Sequence, residues 1–201
     1  MLYLVVHCEA QSDPNAFPDA LTEAGEAQAE HLAKVLNLLG VQNVFVAPHR
    51  RALDSVGPFF AKRRDEGSFI RAEVHYELSD SVALPEQKPR SWALEELRPY
   101  GLNRQSLYGN IPGPEDLDAY RARVLRWYTD HFWSEYRDCP YPTAIVANSV
   151  TVGMLVYYIM LTKGGGPSLA QARSVVNNLK AGAVLEFGIE DLTLRLRRRV
   201  I

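Results

Sequence analysis

The chain has 201 residues, 47% of them hydrophobic and 23% charged, with a formal net charge of -2. That length supports one domain with a sizeable core and falls short of two. The near-neutral balance excludes a general electrostatic pull toward nucleic acid or anionic lipid.

The first predicted strand is Leu2-Tyr3-Leu4-Val5-Val6, running into His7, Cys8 and Glu9. An unbroken apolar run entering a polar turn is how a buried central strand reads when it delivers a side chain to the carboxyl edge of an α/β sheet. A loop from Ala10 to Ala20 follows, and Thr22 reads as an N-cap with Glu23 and Glu26 in the first turn. Ala29, Leu32, Ala33, Leu36 and Leu39 recur at helical spacing before Gly40 ends the helix. Val44 to Ala47 forms a second strand, closed by Pro48, and a helix starts near Arg50 with Ala52, Val56, Phe59 and Phe60 on one face. Phe69 to Tyr76 reads as a third strand.

Residues 78–114 form a long connection rich in Pro, Gly and Arg, with a short helix near Trp92 to Leu97. A connection of that length is expected to be a lid or a substrate-facing insert. Pro114 suits the first position of a long helix that turns Leu117, Tyr120, Val124, Trp127 and either His131 or Phe132 inward. Ala144 to Ala147 is a fourth strand ending at Asn148 and Ser149. The apolar stretch Val150 to Leu161 is too short to span a bilayer and reads as a core helix. A helix from Ser168 to Asn178 and a hairpin, Ala183 to Ile189 with Leu192 to Val200, complete the chain. Alternating strands and helices predict an α/β three-layer sandwich with a mostly parallel central sheet.

Parallel strands bring their carboxyl ends together, so His7, Arg51, Asp80 and Asn148 are expected to converge. Arg51 lies in the first turn of one helix and Asn148 caps another, and helix N-termini are ready anion sites. An imidazole, a guanidinium, a carboxyl and an amide at such an edge suit a phosphate ester. Arg51 would clamp its oxygens, His7 would attack phosphorus, and Asp80 would protonate the leaving oxygen.

The same residues carry a resemblance. Leu4-Val5-Val6-His7-Cys8-Glu9 is similar to the opening Leu-Val-Arg-His-Gly-Glu of the histidine phosphatases, or phosphoglycerate mutase-like superfamily. Leu21-Thr22-Glu23-Ala24-Gly25-Glu26-Ala27-Gln28-Ala29 resembles that family's Leu-Thr-x-x-Gly-x-x-Gln-Ala. Ala47-Pro48-His49-Arg50-Arg51-Ala52-Leu53-Asp54-Ser55 resembles its Ser-Pro-Leu-x-Arg-Ala-x-x-Thr. Leu78-Ser79-Asp80 resembles its Leu-x-Glu, which carries the proton donor. Pro112-Gly113-Pro114-Glu115-Asp116 with Arg123 resembles its Pro-Gly-Gly-Glu-Ser and inner Arg, and Val146-Ala147-Asn148-Ser149-Val150 its Val-x-His-Gly-Gly. The resemblance runs through nearly the whole chain in order and implies a phosphoglycerate mutase-like fold.

It also implies altered chemistry. Where the family has a phosphate-binding Arg before the nucleophile, this chain has Val6, and the family's second His is Asn148. Cys8 stands in place of a Gly and Asp80 in place of a Glu, whereas His7, Glu9 and Arg51 match. The resemblance thus implies His7 and Asp80 as catalytic residues, and Arg51, Asn148, Cys8 and Glu9 around the phosphate. Losing one preorganised oxyanion donor costs about 10²–10³ in rate. The expectation is therefore a degenerate member with weak or absent phosphatase activity, a binding or regulatory module for a small phosphorylated or other anionic ligand, for which a homodimer is one assembly allowed. The alternative is an active phosphomonoesterase or mutase using His7, with His49, Arg90, Arg98 or Arg104 replacing the lost groups.

Other signals read as structure. The alternating arginines Arg195, Arg197 and Arg199 suit a charged edge strand rather than a nucleic-acid patch. Gly164-Gly165-Gly166 follows a helix and reads as a turn. His31, His75 and His131 lack paired ligand spacing, so no metal site and no cofactor are expected. Cys8 and Cys139 suggest no disulfide, which fits a reducing cytoplasm, and without a basic stretch leading into an apolar one at the N-terminus export is not expected.

Overall fold

The computed structural model describes residues 1–11, 20–79, 117–136, 138–163, 169–190 and 193–200. In chain order these form β1 (Leu2–Val6), α1 (Glu23–Leu38), β2 (Asn43–Val46), α2 (Arg50–Asp65) and β3 (Arg71–Val74), followed by a 3₁₀ turn at Tyr76–Leu78. Next come α3 (Leu117–Arg126), continuing as a π-helical stretch Trp127–Trp133, then β4 (Thr143–Ala147) and α4 (Ser149–Tyr158). α5 (Leu169–Asn177), β5 (Val184–Glu190) and β6 (Thr193–Arg199) follow.

The strands make one six-stranded sheet in the order β3-β2-β4-β1-β5-β6. β3, β2, β4 and β1 are mutually parallel, and β5 and β6 add an antiparallel hairpin beyond β1. All residues of β1, β2 and β4 are buried. Central strands without a solvent face require helices over both sides of the sheet, the expected three layers. α1 packs on α2, and α4 packs on both α3 and α5. Among the described residues no helix is long and apolar enough to cross a membrane.

Local chemistry sets the boundaries. The Thr22 side chain accepts from the Gly25 N–H, capping α1 as its sequence predicts, and Ala29, Leu32, Ala33 and Leu36 bury one face. Gly40, at φ 66°, takes the left-handed conformation that lets Val41 N–H reach back to the Leu36 carbonyl. β3 is shorter than the predicted Phe69–Tyr76. Ser68 N–H is drawn back to the Arg63 carbonyl at the end of α2, Phe69 is 86% exposed, and the chain turns after His75 N–H bonds the Val46 carbonyl.

The long helix also departs from expectation. Tyr120, Val124 and Trp127 are buried as predicted, and of the two alternatives it is Phe132 that lies in the core, with His131 half-buried. A π turn closes i to i+5, so it carries Phe132 rather than His131 beneath Trp127, with ring centroids 5.9 Å apart. Phe45, Phe132 and Tyr136 extend this aromatic cluster, with Phe45 and Tyr136 meeting edge to face at 4.7 Å. Pro114, the Leu117 side chain, the short helix near Trp92 and the Gly164–Gly166 turn lie outside the described residues. β6 is an edge strand, and Arg198 at that edge pairs with the otherwise buried Glu186 at 3.0 Å.

The Tyr128 hydroxyl is buried without a hydrogen-bond partner. Leaving such a group unmet costs about 1–3 kcal/mol. Tyr128→Phe is accordingly expected to stabilise the fold by about 1 kcal/mol, read as a raised midpoint in urea unfolding at unchanged slope. A lower midpoint would show that the hydroxyl has a partner in solution.

Candidate active site

The connection from β1 runs to β2 on one side of β1, and the connection from β4 runs to β5 on the other. The crevice between neighbouring β1 and β4 is therefore the topological switch point, where α/β sheets bind ligands at their carboxyl ends. Register places the ends together, with Val6 opposite Ala147 and Val46 opposite both Val146 and Val74. His7 and Asn148 follow directly at the switch point. The turn leading to Arg51 opens from the end of β2, beside β4.

The segment His7-Cys8-Glu9 has all its backbone groups accounted for. His7 N–H donates to the Ala147 carbonyl at 2.9 Å, and Gly182 N–H donates to the His7 carbonyl at 3.1 Å. Cys8 N–H donates to Ser55 Oγ at 2.8 Å, and that hydroxyl donates to the Arg51 carbonyl at 2.5 Å. Glu9 N–H donates to Gln28 Oε1 at 2.9 Å, and the Glu9 carbonyl accepts from Thr22 N–H at 3.1 Å. A Cβ on Gly25 would lie 1.9 Å from that carbonyl oxygen. The three motifs at Leu4–Glu9, Leu21–Ala29 and Ala47–Ser55 are thus parts of one clamp that fixes the loop carrying His7.

His7 is half-buried, and its Nδ1 lies 2.7 Å from the Cys8 carbonyl. A carbonyl only accepts, so Nδ1 carries a proton, and in the neutral imidazole the lone pair is on Nε2. The neighbouring Cys8 thiol is fully buried. Burial pushes it up from its ordinary value, and a hydrogen bond with Ser55 offsets that only in part. The structure therefore does not present Cys8 as a thiolate at the edge. Glu9 is exposed, and its Oε1 accepts from Thr22 Oγ1 at 2.9 Å, tying the loop to the start of α1.

Asn148 is 7% exposed and committed to structure on both sides of its amide. Its Oδ1 accepts from Thr151 N–H at 2.8 Å, capping α4, while Nδ2 donates to Tyr120 Oη at 3.1 Å and to Thr151 Oγ1 at 3.0 Å. Thr151 Oγ1 donates onward to the Leu78 carbonyl at 3.4 Å. Arg123 works beside this network, donating to the carbonyls of Tyr76 and Glu77 at 3.1 and 2.6 Å and to Ser79 Oγ at 3.3 Å. Together the two devices fix residues 76–79, the root of the long connection. Sequence reasoning identified Asn148 as a cap and Arg123 as inward-facing, but not the chain through Tyr120 and Thr151.

Arg51 sits half-buried in the first turn of α2, beside the clamp, and His49 occupies the N-cap position without a side-chain cap bond. Val6 is 2% exposed at the end of its strand. Asp80, Arg90, Arg98 and Arg104 lie outside the described residues.

Two of the remaining histidines, which no sequence spacing pairs, come together in the fold. Glu73 and His75 at the end of β3 meet His131, with one potential ligand atom from each lying within 4.8 Å of the others. Fifty-odd residues separate the two histidines in sequence, and only the packing of the π-helical stretch on β2 and β3 joins them. His31, by contrast, does not enter the cluster.

The family sequence model described as "Histidine phosphatase superfamily (branch 1)" matches residues 2–181. No curated protein matches the chain in sequence. Among solved structures, the chain resembles the alpha-ribazole phosphatase from Shigella flexneri, with 22% identity, a TM-score of 0.64, and 98% of this chain and 94% of that chain covered. It also resembles a mycobacterial glucosyl-3-phosphoglycerate phosphatase in complex with VO3, with 18% identity, a TM-score of 0.56, and 100% and 97% covered. The structural likenesses agree with the α/β fold described above, and the family match over residues 2–181 shows that the chain belongs to the histidine phosphatase superfamily, branch 1.

Proposed function

We propose that the protein is a phosphate-ligand-binding member of this superfamily whose phosphatase chemistry is weak or absent. The observation that carries the reading is the state of Asn148. At the position matching the family's second His, the side chain caps α4 and roots the long connection through Tyr120 and Thr151. Val6 supplies no donor either, so two ligands of the transferred group are missing. Each lost oxyanion donor costs about 10²–10³ in rate, although such losses do not simply add. What remains suits binding: Arg51 as the clamp and His7 as its neighbour at the switch point, around a small phosphorylated ligand.

A second reading, a working phosphomonoesterase, draws support from the His7 tautomer. Its Nε2 lone pair is the nucleophile that a phosphohistidine intermediate needs. In that case Asp80 would protonate the leaving group.

Calorimetric titration with inorganic phosphate and with vanadate tests the binding claim. The wild-type chain is expected to bind, and Arg51→Ala to weaken binding about 10- to 100-fold, the worth of a charge-assisted contact. Equal affinity in Arg51→Ala, or no binding at millimolar anion, would overturn the proposal.

A further inference from the structure

We propose that Glu73, His75 and His131 form a site for a divalent transition metal of the zinc class, separate from the phosphate edge. β3 is three strands from β1 in the sheet, about 14 Å away at the usual strand spacing. The cluster therefore does not share ligands with His7.

The geometry is close to that of a bound ion. His75 Nε2 and Glu73 Oε2 are 3.1 Å apart. Two ligands of a tetrahedral zinc at bonds of about 2.0 Å lie about 3.3 Å apart. His131 completes the set within the 4.8 Å span. Its Nδ1 faces Glu135 Oε1 at 3.1 Å, which places the proton there and leaves the lone pair on Nε2. That Nε2 is buried and has no hydrogen-bond partner. A cation would satisfy it.

His75 must change its proton to join. The Trp127 indole N–H donates to His75 Nδ1 at 3.0 Å, and an indole only donates, so the His75 proton sits on Nε2 and points at Glu73. On metal binding that proton leaves Nε2, and one is gained at Nδ1, so the net count is unchanged. The Nδ1 proton then needs an acceptor, and Glu77 Oε2 lies 3.8 Å away. The Trp127 indole N–H loses its acceptor, a cost that metal binding must exceed, and the His75 ring must turn slightly to bring Nδ1 from 3.8 Å to bonding distance of Glu77 Oε2. Both imidazoles are then backed by a carboxylate at Nδ1, as metal-ligating histidines usually are. Arg71 and Tyr136 hold the other Glu73 oxygen, Oε1, and leave Oε2 for the ion. Two imidazoles and one carboxylate favour zinc, cobalt or nickel over magnesium or calcium.

The test is titration of the full chain, stripped with chelator, with Zn²⁺ by calorimetry and with Co²⁺ by visible absorption. One equivalent is expected to bind, with the cobalt bands of a low-coordinate nitrogen and oxygen site. A change in indole fluorescence on binding is expected to vanish in Trp127→Phe. His131→Gln should weaken binding by about 100-fold or more, and Glu135→Gln, at a half-exposed position that leaves folding intact, by about 10-fold. The proposal is overturned if no stoichiometric binding occurs, or if both variants bind as the wild type does. His7→Ala and Cys139→Ser should bind as the wild type; loss of binding in either would place the ion elsewhere and equally overturn it.

Discussion

Gly25→Ala is expected to destabilise the protein by about 3 kcal/mol, the upper end of ordinary overpacking costs. The new Cβ would stand 1.9 Å from the Glu9 carbonyl oxygen, and the obstructing atom is backbone. It cannot withdraw freely, because that carbonyl accepts from Thr22 N–H while Glu9 N–H is held by Gln28. Relief must come from α1 moving away or from the His7 loop shifting, and either breaks the clamp. For a chain of this size the loss corresponds to a fall in Tm of about 6–12 °C. Gly57→Ala is the matched control: it lies within α2 with nothing inside 4 Å of the new atom, and Ala there should stabilise by up to about 1 kcal/mol. Thermal unfolding followed by circular dichroism reads both. Equal, small effects would mean that the Glu9 carbonyl is not held where the clamp requires it.

Asn148→Ala is the second large effect, expected at about 2–3 kcal/mol. Losing an N-cap costs about 1 kcal/mol, and the Tyr120 and Thr151 hydroxyls lose a buried donor at about 1 kcal/mol more. Asn148→Asp separates the two contributions, since its carboxylate keeps the cap to Thr151 N–H but cannot donate to Tyr120. It should fall between the wild type and Ala. A double-mutant cycle with Tyr120→Phe should give a coupling of about 0.5–1 kcal/mol or more, because the groups share one network. Additive effects would mean that Asn148 and Tyr120 do not share a bond in solution and that the Asn148 amide is not fully spent on structure.

Much of this architecture was legible in the sequence because it rests on local patterns. The apolar run ending at His7, the Thr22 cap and the apolar stripe of α1 all depend on neighbours within a few residues. So does the placing of Arg51 one turn into α2. The fold followed from their alternation and from the motif order. What stayed hidden was long-range. No spacing rule links Glu73 and His75 to His131. A π turn is not signalled by a 3.6-residue periodicity, and it alone determines that Phe132 goes to the core and His131 to the cluster. Asn148 was readable as a cap through Thr151 three residues later, yet its bond to Tyr120 depends on how α3 packs on α4. The burial of Cys8, whose N–H meets Ser55 Oγ 47 residues away, was likewise hidden from local sequence.

On the proposed reading the chain keeps a phosphate-binding edge while its bond-breaking chemistry is weak or absent. Hydrolysis of an aryl phosphate and a panel of small phosphomonoesters, with His7→Ala alongside, tests it most directly. Wild-type turnover is expected at or close to the His7→Ala level, in a protein that still binds inorganic phosphate through Arg51. Turnover in the ordinary enzymatic range of about 1–10³ s⁻¹, abolished by His7→Ala, would contradict it and make the protein a working phosphatase.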